Sequence, residues 1–291
     1  MPESPRPDSV ELTIVMPAKN EAAAIGDVVR QARDAFPDAE ILVVDDGSDD
    51  NTGALAREAG ATVLTHPVSL GNGAAVKHGA RHARGKLIAF MDADGQHDGA
   101  DIARLIERIH AGFDMVVGAR DTGGQASAAR RLANGFYNWL SSRMSGQRIL
   151  DLTSGLRVAR TDLFRRFIYM LPNGFSYPTT ITMAFLRSGF PIDFVPVDVG
   201  RREGKSHIRP FRDGVRFFII IFKIATLYSP LKIFLPISGL FFTTGVSYYA
   251  YTYFTQGRFT NMSMLILSAA VIIFLIGLIS EQITSLTYSR S

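Results

Sequence analysis

The 291-residue chain contains no cysteine. That excludes a disulfide framework, a thiolate metal site and a cysteine nucleophile, and it suits a reducing, cytosolic setting. Neither G-x-G-x-x-G after a strand nor G-x-x-x-x-G-K-[ST] occurs, which argues against a nicotinamide-dependent or ATP-hydrolysing enzyme. The opening "MPESPRPDSVE" (1–11) carries three prolines and no apolar run. It reads as a loose tail rather than a secretory signal. Histidines are few, and His97 alone stands beside an acidic cluster, where it reads as a solvated turn residue. No histidine constellation is expected.

What is present falls into two unlike parts. From Leu12 to about Val117 short β-rich runs alternate with helical stretches. "LTIVM" (12–16), "EILVVD" (40–45), "ATVLT" (61–65), "KLIAFMD" (86–92) and "DMVVGA" (114–119) read as strands. Ala22–Ala35, Thr52–Glu58, Ala74–Arg84 and Ala100–Ala111 have helical spacing. Strands apolar on both faces and separated by helices predict a mainly parallel sheet covered on both sides. Ligands bind such sheets at the carboxyl ends of the strands, where "PAKNE", "DDGSDD" and "DADGQHD" fall. A second block, 120–200, predicts helices at Arg130–Met144, Asp162–Tyr169 and Thr179–Ser188, then a strand at 192–199.

The last third changes solvent. Leu231–Phe254 holds one charge, Lys232, and Met262–Ile279 holds none. Each is about 20 residues or more, enough for a ~30 Å hydrocarbon core at ~1.5 Å per residue. The alternative is a pair of buried core helices. With only "TQGRFTN" between them, the runs predict a hairpin with both ends on one side. Arg209, Arg212, Arg216, Lys223 and Lys232 precede it and Arg258 stands alone in its turn, so the positive-inside rule keeps the preceding domain cytosolic. In "FRDGVRFFIIIFKIATLYS" (211–229) and the residues just before it, the basic positions 209, 212, 216 and 223 fall within an arc of about 60°. That pattern predicts a helix in the headgroup layer with a basic face, or an amphipathic helix packed on the soluble domain.

Asp92 and Asp94 end a buried strand with one residue between them. Two such carboxylates, with the amide oxygen of Gln96, can hold Mg²⁺ or Mn²⁺ against substrate phosphates. An isolated D-x-D can equally be a turn. Asp46 can accept hydrogen bonds from a base or ribose hydroxyl, whereas Ser48, Asp49, Asp50 and Asn51 read as turn and N-cap residues. Pro17, Asn20 and Glu21 occupy the neighbouring strand-to-helix corner. "LGNGAAVKHGA" (70–80) offers close backbone approach to a ligand at Gly71, or plain helix capping. Arg120, the pair Arg130 and Arg131, and the cluster Arg201, Arg202 and Lys205 lie at ends of elements and suit a phosphate clamp. The formal charge of +4 agrees with anionic partners.

Together these residues resemble the family 2 glycosyltransferases of GT-A fold, and more closely the polyprenyl-phosphate glycosyltransferases, which include dolichyl-phosphate mannose synthase. "MPAKNE", "VVDDGSDD", "LGNGAAVKHG", "FMDADGQHD", "VVGAR", "TSGLRV" and "RREGKSH" stand in the family's order, over roughly 12–230, and the two-helix anchor follows. The resemblance implies a GT-A domain (12–207), an amphipathic juxtamembrane helix (208–229), a transmembrane hairpin (230–283) and a cytosolic tail (284–291). It places Pro17, Asn20, Glu21, Asp46, Gly71, Asp92, Arg202 and Lys205 around the nucleotide, and Asp92, Asp94 and Gln96 on the metal. Arg120, Arg130, Arg131 and Asn134 would receive the acceptor phosphate, and Ser154 and Gly155 would line the sugar pocket. Asp94, Arg120, Arg130 and Arg202 would carry catalysis.

The implied reaction is an inverting transfer from a UDP-hexose to undecaprenyl phosphate at the cytosolic face of a bacterial inner membrane, with GDP-mannose as second donor. A homo-oligomer, tetrameric by resemblance, is expected, and no nucleic-acid partner. A catalytically silent membrane scaffold is the rival of another class. A nucleotidyltransferase would leave the hairpin unexplained. A processive polysaccharide synthase would need a Q-x-x-R-W motif, but the only tryptophan, Trp139, sits in "FYNWL".

Overall fold

The structure, a computed structural model, describes residues 10–95, 99–120, 128–174, 177–197 and 229–288, without the side chains of 128–134 and 137. It divides into two compact units, a sheet unit and a helical hairpin. The expected juxtamembrane helix lies outside the described residues.

In the sheet unit the chain runs β1 (Leu12–Ala18), α1 (Ile25–Ala35), β2 (Glu40–Asp45), α2 (Thr52–Glu58), β3 (Thr62–Thr65), α3 (Asn72–His82), β4 (Leu87–Phe90) and α4 (Gly99–His110). It continues through β5 (Met115–Arg120), α5 (Ala128–Ser145), β6 (Arg157–Arg160), α6 (Thr161–Arg166), α7 (Tyr177–Arg187) and β7 (Ile192–Val197). The sheet order is β3-β2-β1-β4-β6-β5-β7. All pairings are parallel except those of β6, which is antiparallel to both β4 and β5. The mainly parallel sheet is as expected from the apolar runs, which are buried through β2 and β4.

Alternation along β1 sends Leu12, Ile14, Met16 and Ala18 to one face. There they pack with Ile25, Val28 and Val29 of α1 and Ile102, Leu105 and Ile109 of α4. The opposite face is covered by α3 and by an aromatic layer in which Phe90 meets Phe164 at 4.6 Å between ring centroids.

β6 is the element that sequence reading did not find. Its four residues, "RVAR", are too short and too flanked by charge to show a strand period. Yet it is central, pairing Arg157 with Phe90 and Val117. Because it runs antiparallel, its beginning lies beside the ends of β4 and β5. The preceding segment, Asp151–Leu156, is thereby delivered to the carboxyl rim of the sheet.

The hairpin consists of α8 (Leu231–Gln256) and α9 (Asn261–Tyr288), and both are long and apolar enough to cross a membrane. Their buried positions recur every seventh residue: Ser238, Gly245 and Thr252 on α8, and Ser263, Ala270, Gly277 and Thr284 on α9. Small residues at that period let two helices approach closely along a left-handed seam. Ser238 Oγ closes one contact by donating to Ala270 O at 2.8 Å. At the open end Glu281 accepts from Ser229 Oγ and from the Leu231 backbone N–H, satisfying the first turn of α8. Tyr249, Tyr253, Phe254 and Phe259 gather at the turn, as side chains of a membrane interface do.

Candidate active site

The strand order reverses between β1 and β4, so their carboxyl ends form the crevice where open α/β sheets take ligands. The loop after β1 is joined there to the loop after β2. Asn20 takes a φ of +56°, tolerated by this residue type, and is held at both ends of its reach. Its N–H donates to Ser48 Oγ at 3.0 Å, and its Oδ1 accepts from Asp49 N at 2.8 Å. Glu21 N donates to Thr52 Oγ1 at 2.9 Å, while Asp50 accepts from Ala22 N and Thr52 N. Asp49 and Asp50 therefore have the turn roles expected of them. Pro17 is half-buried beside this corner.

Asp46 is placed differently from the open acceptor that its position suggests. It is 4% exposed and receives four donors. His66 Nδ1 lies at 2.7 Å, Ser69 Oγ at 2.8 Å, and the backbone N–H groups of Leu70 and Gly71 at 2.8 Å each. An ionised carboxylate has about four lone-pair directions, so a base or ribose would have to displace one of these donors. Burial pushes the Asp46 carboxyl up, but the four donors outweigh it and hold it below its ordinary value. The group thus gathers the loop that leads into α3. The close approach made by the glycines of that loop is to the chain itself. A Cβ on Gly71 would stand 2.6 Å from Asn173 O and one on Gly73 2.0 Å from Pro172 O. Gly71 is also the N-cap of α3, its carbonyl accepting from Ala74 N at 2.9 Å and Ala75 N at 3.1 Å, so it has the capping role the sequence offered.

The histidines do form a constellation, contrary to expectation. His66 Nε2 meets His78 Nδ1 at 2.9 Å with the rings stacked, and His82 Nδ1 meets His78 O at 3.0 Å. His78 and His82 stand four apart on α3, a spacing visible in the sequence, but only the fold brings in His66. Burial first, and then the charges of His66, His82 and Arg81, hold His78 below its ordinary pKa. The folded state therefore favours neutral His78. Its contribution is complete above the unfolded value of about 6.5 and fades as pH falls through the lowered folded value. Asp46 changes charge only far lower. The melting temperature should accordingly drop from about pH 7 to about pH 5.5, with a shallower slope in His78→Gln. Equal slopes in thermal scans of the two proteins would remove His78 as the cause.

The other half of the rim carries the acidic pair. Asp92 and Asp94 are half-buried and the intervening Ala93 is buried, so both acidic residues keep part of their surface open at the turn after β4. The segment delivered by β6 meets them. A Cβ on Gly155 would lie 2.9 Å from Asp92 Oδ2 and 3.1 Å from Oδ1, so only glycine lets this loop pass. Ser154 is buried beside it, and its hydroxyl has no hydrogen-bond partner among the described residues.

Arg120, at the end of β5, is fixed by Asp151, a residue sequence reading missed. Its Nε donates to Oδ2 at 2.7 Å and its Nη2 to Oδ1 at 3.1 Å and to Thr153 Oγ1 at 2.7 Å. Burial works against both charges, but each stabilises the other, so Asp151 is held below and Arg120 above its ordinary pKa. With its side chain 33% exposed, Arg120 can still meet a ligand. Arg157 was missed as well. It is fully buried, donates to the Pro178 and Ser154 carbonyls, and stands over the Tyr177 ring. It braces the Ser154–Gly155 turn from below.

Arg130, Arg131 and Asn134 fall in the first turns of α5. Gln96, Arg202 and Lys205 lie outside the described residues. Among the described residues no three His, Asp or Glu side chains converge as a ready-made metal cage. The donor set still fits a hard divalent cation, because Mg²⁺ is ordinarily held by one or two carboxylates plus substrate phosphates.

Fold and rim together mark an α/β protein whose candidate site lies at the carboxyl ends of a mainly parallel sheet. The model of glycosyl transferase family 2 matches residues 13–170, and that of the GtrB C-terminal hairpin matches 229–286. The chain belongs to glycosyltransferase family 2. It is 29% identical to a glycosyltransferase, AglJ, of Haloferax volcanii, over 97% of this chain and 96% of that one. It is 30% identical to the polyprenol monophosphomannose synthase of Mycolicibacterium smegmatis, over 69% of this chain and 82% of the relative. Among solved structures, glucosyl-3-phosphoglycerate synthase from Mycobacterium tuberculosis, in complex with Mn²⁺ and UDP-glucose, superposes with a TM-score of 0.59. The identity is 22%, over 74% of this chain and 78% of that one, so the likeness shows the fold.

Proposed function

We propose that the protein transfers a hexose, with inversion, from a nucleoside-diphosphate sugar to a polyprenyl phosphate at the cytosolic face of a bacterial inner membrane. The product is a polyprenyl-phosphate sugar. One observation carries the reading: the carboxylate pair Asp92 and Asp94 and the fixed cation Arg120 share one rim, in a chain that ends in two membrane-length helices. Relatives named for sugar transfer to polyprenyl phosphates support it.

Pro17, Asn20 and Glu21 would bound the base and ribose. Asp46 would act there through the loop it gathers, up to Gly71. Asp92 and Asp94, with Gln96, would hold Mg²⁺ or Mn²⁺, which when bound neutralises charge on the donor diphosphate. Arg202 and Lys205 would close on the same phosphates. Ser154 and Gly155 would face the sugar, giving a role to the buried Ser154 hydroxyl, which has no partner among the described residues. Arg120, Arg130, Arg131 and Asn134 would receive the acceptor phosphate. That phosphate, with a second pKa of roughly 6, is mostly dianionic at neutral pH and needs no strong general base. Its oxygen attacks the anomeric carbon as the bond to the nucleoside diphosphate breaks, a single displacement. Arg120, already oriented by Asp151, would meet the acceptor's charge without reorganising. Packed hairpins would make a homo-oligomer, with four copies our reading.

UDP-hexose is the first reading of the donor, supported by the fold shared with a UDP-glucose-binding enzyme. GDP-mannose is the second, favoured by the mannose synthase among the relatives. Purified protein in detergent, given undecaprenyl phosphate, Mn²⁺ or Mg²⁺ and a panel of UDP- and GDP-sugars, should yield glycolipid from one donor, and none with chelator. No product from any donor, with no metal-dependent nucleotide binding, would favour the silent scaffold.

A further inference from the structure

Arg157 is the largest side chain that the described residues bury completely, and it carries its charge there without a direct counter-ion. Its Nη1 donates to Pro178 O at 3.2 Å and to Thr182 Oγ1 at 3.3 Å, and its Nη2 donates to Ser154 O. All three acceptors are neutral. Nε is buried and has no hydrogen-bond partner among the described residues. Among the same residues no carboxylate stands within ion-pair distance of the guanidinium. The Tyr177 ring lies 5.6 Å from Cζ and supplies no anion, because burial pushes the Tyr177 phenol well above its ordinary pKa. Asp151 already meets Arg120 with both of its oxygens. Burial lowers the Arg157 pKa, and the charges of Asp151 and Asp92 oppose that from a distance. A guanidinium is basic enough to stay charged at neutral pH all the same.

An isolated charge in the interior costs folding free energy, and hydrogen bonds to neutral acceptors offset only part of that cost. Bracing the Ser154 carbonyl needs a donor but no charge. What the charge adds is a positive potential, and the fold decides where that potential acts. Arg157 opens β6, in register with Phe90 at the end of β4 and with Val117 of β5. It therefore lies under the rim, below the turn in which a Cβ on Gly155 would stand 2.9 Å from Asp92 Oδ2. With little water to screen it, a buried charge reaches farther than a surface one.

We propose that Arg157 is a positioning residue for the donor: its buried charge, set under the acidic turn, draws the diphosphate of the nucleotide sugar onto the rim from the side opposite Arg202 and Lys205. The counter-charge comes with the substrate. The inference rests on the donor reading above. Two consequences separate charge from bracing. The same charge repels a divalent cation, so its removal leaves Mn²⁺ affinity unchanged or raises it. It attracts a diphosphate, so diphosphate affinity falls. A brace lost from beneath the rim would instead weaken both together.

The test uses the full chain in detergent, as wild type, Arg157→Gln and Arg157→Lys. Free Mn²⁺ is followed by electron paramagnetic resonance, and UDP and GDP binding at saturating Mn²⁺ by calorimetry. Arg157→Gln keeps a neutral donor, and Arg157→Lys keeps the charge. In Arg157→Gln the preferred diphosphate should bind about tenfold more weakly while Mn²⁺ alone binds no more weakly than to wild type. Arg157→Lys should recover diphosphate affinity to within about threefold of wild type. Parallel losses of Mn²⁺ and diphosphate affinity in Arg157→Gln overturn the proposal in favour of bracing alone. Unchanged diphosphate affinity in that variant overturns it as well. If Arg157→Gln does not fold, Arg157→Lys decides: about tenfold weaker diphosphate binding with the charge retained overturns the proposal, and near-normal binding upholds it. A wild type that binds neither UDP nor GDP with Mn²⁺ brings down the donor reading itself, and this inference with it.

Discussion

Asp94→Asn should lower glycolipid formation by about 10³-fold while leaving the melting temperature within a degree or two of wild type. The size follows from what the substitution removes. An electrostatic partner aimed at developing charge in a shielded site is worth about 10²–10³ in rate, and a carboxylate that would also hold the metal, as proposed for Asp94, stands at the upper end. The insensitivity of the fold follows from position. Asp94 is half-buried in a turn beyond the end of β4, and the core strand Leu87–Phe90 is complete without it. The assay is turnover with Mn²⁺ across a wide concentration range, beside a thermal scan. Near-normal turnover would take Asp94 off the metal. Loss of turnover together with a large drop in melting temperature would instead make it a structural turn residue, the bland reading of any D-x-D.

Gly155→Ala tests the other side of the same contact, at a residue with no side chain to donate or accept anything. Its new Cβ would come within 2.9–3.2 Å of Oδ2, Oδ1 and Cγ of Asp92, with the carboxylate as first obstacle. Restoring ordinary contact requires Asp92 or the loop to move by a few tenths of an ångström or more. The loop has little freedom, because Arg157 holds the Ser154 carbonyl from beneath and Asp151 is tied to Arg120. Asp92 should therefore yield. Misplacement of a positioned group by about 1 Å can cost about 10²-fold in rate, so a loss of ten- to a hundredfold is expected, with Mn²⁺ affinity falling in parallel. Overpacking of this kind costs stability by about 1–3 kcal/mol, so the protein should remain folded at 25 °C. Unchanged Mn²⁺ affinity in a folded Gly155→Ala protein would mean that the β6 loop and the acidic turn do not act together.

Much of the rim was legible because it is local. A strand that ends in carboxylates is recognisable wherever it pairs, so Asp46, Asp92 and Asp94 could be placed at strand ends without knowing the sheet order. Thr52–Glu58 and Glu40–Asp45 were bounded correctly because their punctuation, "GSDDN" and the alternation to "EILVVD", is written in adjacent residues. The partner of each carboxylate was not legible. Asp46 finds its donors in the 66–71 loop, Arg120 finds Asp151, and Asp92 finds Gly155. Those meetings depend on which strand lies beside which, and nothing in the immediate neighbourhood of any of these residues states it.

By itself, then, the sequence determined the alternation of strands and helices, the acidic strand ends, the presence of basic clusters in the segments after β5 and β7, and two helices long enough for a bilayer. Each of these is a property of periodicity, length or composition within one segment. The tertiary structure alone decided that β6 runs antiparallel between β4 and β5. It also decided that Asp46 is a hub rather than an open acceptor, and that a buried Arg157 and an Asp151–Arg120 pair fix the rim. The physical reason is the same in each case: hydrogen bonds and close contacts between segments far apart in the chain are set by strand pairing, and a four-residue strand flanked by arginines announces neither its presence nor its direction.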